Sequence, residues 1–328
     1  MKSIINKLKS GMTTTAYLTI CLLLISSAVF AQEDSLTVPK TAAPAQQKPV
    51  KNTFGGVWII DNQTVMVPVK GTFEMDIQHR FGVVTKGYED FWGFFAPSNI
   101  RMGVSYAPIS KLYVGIGITK QNMLWDASAK YSIITQTGSK YPVSVTYYGN
   151  MAYDTRKDAD KSLFKYQSQR MSFFNQIIIA RKISDKLSVQ IAPSVSHQNA
   201  VNGYFTKNDS TGQNIFEEMK HNHFAVALSG RYKLTNVTSL LINYDQPLTK
   251  HATNNPLPNL SFGVEFNTSS HSFQLFCGNY SSLSPQRNNL YNTNAPFAYS
   301  ELQADGTKKD MPGGQFVIGF NITRLWNY

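Results

Sequence analysis

Along most of the chain, large apolar residues alternate with small or polar ones, which is the period-two signature of a β-strand with one greasy face. The last stretch, Gln315 to Tyr328, shows it plainly. Phe316, Ile318, Phe320, Ile322, Trp326 and Tyr328 fall on one side, and Gln315, Gly319, Asn321 and Thr323 on the other. The same pattern begins at Gly71. Phe73, Met75, Ile77, His79 and Phe81 oppose Glu74, Asp76, Gln78 and Arg80; Ile100, Met102, Val104 and Tyr106 oppose Arg101, Gly103 and Ser105; Leu112, Val114, Ile116 and Ile118 oppose Tyr113, Gly115, Gly117 and Thr119. Further strands are expected around Trp125 to Ile133, Val143 to Tyr147, Gln169 to Arg181, Leu187 to Val195, Phe224 to Tyr232, Thr238 to Tyr244, Leu260 to Phe266 and Phe273 to Cys277, and the terminal strand makes twelve. Gln169 to Arg181 is the least regular, because Asn175 falls among Met171, Phe173, Ile177 and Ile179. A bulge near Phe174 is the expected repair.

The connections sort by length in alternation. Pro108 to Lys111, Gln136 to Tyr141, Lys182 to Lys186, Leu234 to Asn236 and Thr268 to His271 are short, whereas Gly82 to Ser98, Tyr153 to Gln167, Asn199 to His221, Thr249 to Pro258 and Ser281 to Gly313 are long; Lys120 to Asn122 is the tight exception. Outer-membrane barrels keep one rim short and the other long, and a soluble β-sandwich has no reason to do so. After Ala31 no apolar run approaches the roughly 18 residues of a membrane helix. Only a closed barrel then places the chain in a bilayer. The expected fold is all-β: a transmembrane antiparallel up-and-down barrel of about 12 strands, polar face inward.

The N-terminus adds an address. Lys2, Lys7 and Lys9 precede an apolar run from Ala16 to Ile25 and then Val29-Phe30-Ala31, a secretory signal over residues 1–31. Bulky Ile20 before Cys21 argues against lipidation. Residues 32–53, rich in Pro, Ala, Gln and Lys, read as a flexible periplasmic linker. In residues 54–70, Val57 to Ile60 and Val65 to Val67 flank Asp61-Asn62-Gln63-Thr64, which fits a small hairpin at the barrel mouth or a plug inside it. The barrel is expected over 71–328.

The full chain of 328 residues has a formal charge of +11; removing 31 residues with three Lys and no acid would leave 297 residues at +8. Basic residues are scattered rather than clustered and the chain is exported, so nucleic acid is excluded as a partner. Cys277 would be the lone remaining cysteine, which rules out an intramolecular disulfide and argues against a cysteine metal site.

His79-Arg80-Phe81-Gly82, Ala180 to Ser188, Gly230 to Thr235, Ser272 to Leu275 and Phe320 to Arg324 resemble β-barrel proteins of Bacteroidota outer membranes, classed only as a domain of unknown function. The resemblance runs from about Phe54 to the end. It implies location and fold and brings no catalytic or binding residues with it. The expected partners are outer-membrane lipid, the barrel-assembly machinery through the C-terminal strand, and small hydrophilic solutes.

Candidate chemistry is sparse. His221 and His223, two apart, would point to one side of a strand, but no third metal ligand is recognisable. Ser196-His197-Gln198-Asn199 holds the ingredients of a hydrolase, yet Ser196 and His197 would face opposite ways on one strand. Gly115 and Gly117 lie within a strand, so they form no phosphate loop; they are expected to let bulky lumen residues such as Tyr113 pack. Trp125, Tyr147, Trp326 and Tyr328 suit an aromatic girdle. Phe91-Trp92-Gly93-Phe94-Phe95 is expected to pack within the barrel mouth. No catalytic residue, cofactor or metal is assigned.

The inward face carries Arg80, Arg101, Lys130, Arg170 and Arg231 against Glu74, Asp76, Asp126, Asp245 and Glu265, five of each sign. Such balance predicts pairing across the lumen, a narrow bore and weak ion selectivity. The function expected is a porin-like conduit of small conductance or a loop-presenting surface protein. The alternatives are an assembly component that binds a partner through its long loops and a hydrolase at the barrel rim.

Overall fold

The computed structural model describes residues 48–327 apart from 139, 209–210 and 304–305. The expected signal segment, most of the expected linker and Tyr328 of the expected girdle lie outside the described residues. A short hairpin of β1 (Trp58–Ile59) and β2 (Asn62–Gln63) comes first. The wall begins with β3 (Thr72–Val83), β4 (Asn99–Ile109), β5 (Leu112–Thr119), β6 (Leu124–Ile134), β7 (Ser144–Asp154), β8 (Met171–Lys182) and β9 (Leu187–Gln198). A hairpin of β10 (Gly203–Lys207) and β11 (Asn214–Glu218) interrupts it, after which β12 (Asn222–Lys233), β13 (Thr238–Pro247), β14 (Asn259–Asn267) and β15 (His271–Gly278) continue. A helix α1 (Pro285–Tyr291), a hairpin of β16 (Tyr299–Leu302) and β17 (Lys308–Met311), and β18 (Val317–Asn327) complete the chain.

Twelve strands, β3 to β9, β12 to β15 and β18, close into one antiparallel barrel. The seam joins the first wall strand to the last, with Thr72 opposite Asn327 and Ile77 opposite Ile322. Closure leaves no edge, the condition for strands to stand in lipid. Outward positions are the large apolar ones, including Ile116, Ile191, Ile242, Phe262 and Leu275. Among the described residues no helix is long and apolar enough to cross a membrane.

Two outward features differ from expectation. No bulge interrupts β8, where Phe174 opposite Ser196 and Ile179 opposite Ile191 keep one register. Asn175 therefore faces out, and it is tolerated because the Tyr147 hydroxyl on β7 donates to its side-chain oxygen at 2.5 Å. Phe174 and Ile178 face in, where they are buried. The aromatic loop after β3 does not enter the mouth. The Gly82 N–H donates to the Gly93 carbonyl at 2.9 Å and folds the loop back, so that Phe94 packs on the outward ring of Phe81 at 4.3 Å and Phe95 stays 83% exposed.

A charge at an outward midplane position must leave water for hydrocarbon. Ile191→Arg is expected to cost about 2 to 4 kcal/mol of barrel stability, read by urea titration of protein refolded into lipid vesicles. An unchanged midpoint would mean that inside and outside are exchanged. The wild-type barrel is also expected to migrate differently on a denaturing gel before and after boiling.

Candidate functional site

The interior is filled, chiefly by residues 54–70. The chain meets the short-turn rim where the Val50 N–H donates to the Gln136 carbonyl at 2.7 Å, and it returns to that rim where the Gly71 N–H donates to the Ala107 carbonyl at 2.8 Å. Between these ties the β1–β2 hairpin stands within the bore. Two strands of two residues satisfy little of their own backbone, and buried peptide groups need partners. The wall supplies them. Gln274 Nε2 donates to the Trp58 carbonyl and Gln274 Oε1 accepts from the Ile60 N–H, both at 3.0 Å. Asn243 donates to the carbonyl of Ile59, Asn321 to that of Ile60, Gln190 to that of Gln63 and Thr146 to that of Val65, at 2.5 to 3.0 Å. These neutral side chains give no sequence signal beyond their inward phase.

Hydrophobic packing holds one side of the plug. Phe54, Ile59, Ile60 and Val65 pack with Tyr148, Phe174, Ile178, Ala180, Ala192, Ala227, Leu241 and Phe276. The inner face therefore carries an apolar patch between β7 and β13, set among polar residues such as Thr146, Gln190 and Asn243, and the expectation of a uniformly polar lumen fails at that patch because a protein segment, not water, covers it.

The charged candidates cluster on the opposite arc, β3 to β6. Arg101 Nη1 donates to Asp76 at 2.8 Å, while its Nε and Nη2 grip Asp126 at 3.0 and 2.8 Å. Gly103 and Gly117 make this possible. A Cβ at Gly103 would stand 2.5 Å from the Asp76 carboxylate, and one at Gly117 would strike the Arg101 guanidinium. Gly117 therefore makes room for the Arg101 ion pair, and a Cβ at Gly115 would meet the hydroxyls of Ser105 and Ser128, so neither of the two expected glycines makes room for Tyr113. Arg80, fully buried, donates to Asp61 of the plug at 2.7 Å and lies 4.3 Å from the Phe276 ring centroid. Lys130 Nζ donates to the carbonyls of Val57 and Met66 at 3.2 and 3.3 Å. Glu74 lies beside Tyr113 and Lys130. Elsewhere Arg231 pairs with Glu265 at 2.9 Å, and Asp245 accepts from Asn62 of the plug at 2.7 Å.

Pairing therefore runs along the wall and into the plug instead of across an open bore. The reason is that the plug occupies the space that separates opposite walls. Arg170 stands apart from the other nine. It ends a short 3-10 turn at the outer rim, where its Nη1 donates to the carbonyls of Asp154 and Arg156 at 2.9 and 2.8 Å.

The outer side is also covered. On α1, Gln286 is fully buried and donates to Asn150 Oδ1, while Gln198 Nε2 donates to the Gln286 carbonyl at 3.3 Å. Between α1 and the plug lies a cavity of about 20 Å³, lined by Trp58, Asp61, Arg101, Asp126 and Gln286. That is room for about one water.

The other candidates do not assemble. Strand β12 begins at Asn222, so strand periodicity does not reach His221, whose Nδ1 lies 2.6 Å from the Gln198 carbonyl. His223 is buried beside His251 instead, with ring centroids 4.9 Å apart. Among the described residues no group of three or more His, Cys, Asp or Glu could hold a metal. Ser196 faces in and its hydroxyl has no hydrogen-bond partner among the described residues, while the His197 ring is held by Asn222 and Asn199 at 2.8 and 2.9 Å.

Residues 54–326 match the family described as Membrane bound beta barrel domain (DUF5777), and the chain belongs to that family. It is an outer-membrane β-barrel. Among solved structures it is similar to the NanC porin, at 8% identity and a TM-score of 0.41 over 78% of this chain and 99% of that one. It is also similar to an outer membrane channel from Pseudomonas putida F1, at 10% identity and 0.44 over 80% and 97%, and to the KdgM porin, at 7% and 0.40 over 78% and 99%. These likenesses concern the fold alone. No curated protein matches the chain in sequence.

Removing one partner of a buried pair leaves the other charge uncompensated. Arg101→Met is expected to cost about 3 to 5 kcal/mol by stranding Asp76 and Asp126. Adding Asp76→Asn and Asp126→Asn should return most of it, with urea midpoints in detergent as the measurement. Equal stability of wild type and Arg101→Met would show that the triad is solvated.

Proposed function

We propose that the protein is a plug-closed conduit for small hydrophilic solutes, without catalysis. The observation that carries this reading is the interior itself. A membrane barrel that served only as an anchor needs a sealed interior, and a packed apolar lumen would be sufficient for that. Here the wall instead holds a separate segment by side-chain hydrogen bonds to its backbone, at positions spread over β6, β7, β9, β13, β15 and β18. Both ends of that segment emerge at one rim, so it can withdraw without being cut or threaded. The wall charges that would line the vacated bore are in place on β3 to β6.

In the closed state conduction is small. Glu74, Asp76, Arg80 and Lys130 are each no more than 2% exposed, which no water-filled pore would permit. A second reading has its own support: the β10–β11 hairpin presents Phe205 and Phe216, 65% and 61% exposed with rings 5.3 Å apart, as a surface for a partner on the long-loop side.

Planar-bilayer recording separates the two. Wild-type protein is expected to be nearly silent, and a variant lacking residues 54–70, or one with Lys130→Met, Gln274→Ala and Asn321→Ala to loosen the plug, is expected to show frequent and larger openings. Each variant is first checked for barrel formation by its shift on an unboiled gel. Barrels that form without a held plug and stay silent would remove the conduit reading and leave the loop-presenting one. Large steady wild-type channels would refute closure.

A further inference from the structure

A second cavity lies at the long-loop mouth, well apart from the plug. Its volume is about 110 Å³, and its floor is made by Leu124, Asp154, Ser172 and Gln198, inward residues at the outer ends of four wall strands. The loops before β8 and β10 and the helix α1 complete its sides. Three guanidinium groups converge on it, those of Arg156, Arg170 and Arg287.

Two of the three are already engaged. Arg156 forms a two-pronged pair with Asp154, Nε and Nη2 donating at 3.0 and 2.8 Å, and Arg170 uses Nη1 on two carbonyls while lying 4.7 Å from the Phe164 ring centroid. Arg287 differs. Its guanidinium sits 4.6 Å from the Tyr291 ring centroid, and among the described residues it makes no side-chain hydrogen bond or ion pair. Burial lowers its proton affinity and the neighbouring Arg156 adds to the effect, while Tyr291 and Asp154 oppose it. The cavity therefore holds three cations against one carboxylate, Asp154, which is already engaged in its two-pronged pair with Arg156.

We infer that this cavity is a binding site for the carboxylate or phosphate oxyanion of a small hydrophilic solute. The fork of an unpaired guanidinium matches two oxygens of such a group, and charge-assisted hydrogen bonds of that kind are the strong ones. Gln169, Asn202 and Ser172 line the same space and supply neutral hydrogen-bonding groups for the remainder of the solute. The volume is several times that needed for one water, so a small anion fits without displacing protein. The lining residues Asp154, Ser172 and Gln198 are on the inward face, so the site opens toward the mouth and not toward lipid, which favours a dissolved solute over a lipid headgroup. The inference goes beyond a conducting role, because binding at the mouth does not require the plug to move.

The test is titration of the full-length protein in a phosphate-free, lipid-free detergent buffer by calorimetry, with inorganic phosphate, glucuronate and neutral glucose as probes. Saturable binding of phosphate, glucuronate or both is expected, with none for glucose. Preference for glucuronate would identify a carboxylate on a sugar-sized body, and preference for phosphate a phosphorylated solute. Added sodium chloride should weaken the binding. Arg287→Gln should weaken it at least tenfold, Arg287→Lys less, and Arg181→Gln at the opposite rim not at all, each variant first shown to form a barrel by its gel shift. Absence of saturable binding by either anion, equal binding of glucose, or an Arg287→Gln barrel that binds as wild type does would overturn the inference.

Discussion

Hydrocarbon offers a peptide group no hydrogen-bond partner, and this single fact governs both surfaces of the molecule. On the outside it demands that β3 and β18 meet, since an open edge would leave a row of N–H and C=O groups in lipid. Once the wall is closed, every wall residue must choose lipid or interior by its parity. Outward positions become apolar with few exceptions, and the exception at Asn175 carries its own partner in Tyr147.

The same demand recurs inside with a different solution. The β1–β2 hairpin is too short to pair its own backbone, and it is enclosed by a wall whose main-chain groups are already committed to their ladder. Only side chains are left to satisfy it. Amides suit this task because each offers donors and an acceptor without a charge to desolvate, as Gln274 shows by bonding the plug through both ends of its side chain. The Asn and Gln side chains of β9, β13, β15 and β18 are therefore the interior counterpart of the closed ladder.

This explains what could be read in the chain and what could not. The bilayer imposes one rule on every outward position of every strand, so strand number, inward phase and rim assignment were all visible as alternation and loop length. The interior has no such uniform rule. Phe174 and Ile178 are apolar because Phe54, Ile59, Ile60 and Val65 cover them, a fact of tertiary contact with no local trace. Gln190, Asn243 and Asn321 look like ordinary polar lumen residues until the plug is in place. Gly103 and Gly117 are similar: their need appears only when the Arg101 side chain is seen to lie across them. The His pair does not form for a simpler reason: His221 lies one residue before the strand starts, so strand spacing does not govern where it points.

The division of the inner wall into an apolar patch and a charged arc bears on how firmly the plug is held. Its departure would expose Tyr148, Phe174, Ile178, Leu241 and Phe276 to water, an unfavourable change that scales with the apolar area uncovered. On the other arc the balance is different. Arg80 and Asp61 would exchange a buried pair for two hydrated ions, and Lys130 would exchange two carbonyls for water, so the desolvation already incurred there is returned on opening. The apolar patch therefore opposes release, and the charged arc lowers its cost while fixing the depth of the hairpin. A plug held by apolar contacts alone would be harder to remove and free to slide; one held by ion pairs alone would have little to keep it in place against hydration. With both kinds of contact on the wall, the plug has one seated position, and under the proposed conduit role the charged contacts lower the cost of leaving it.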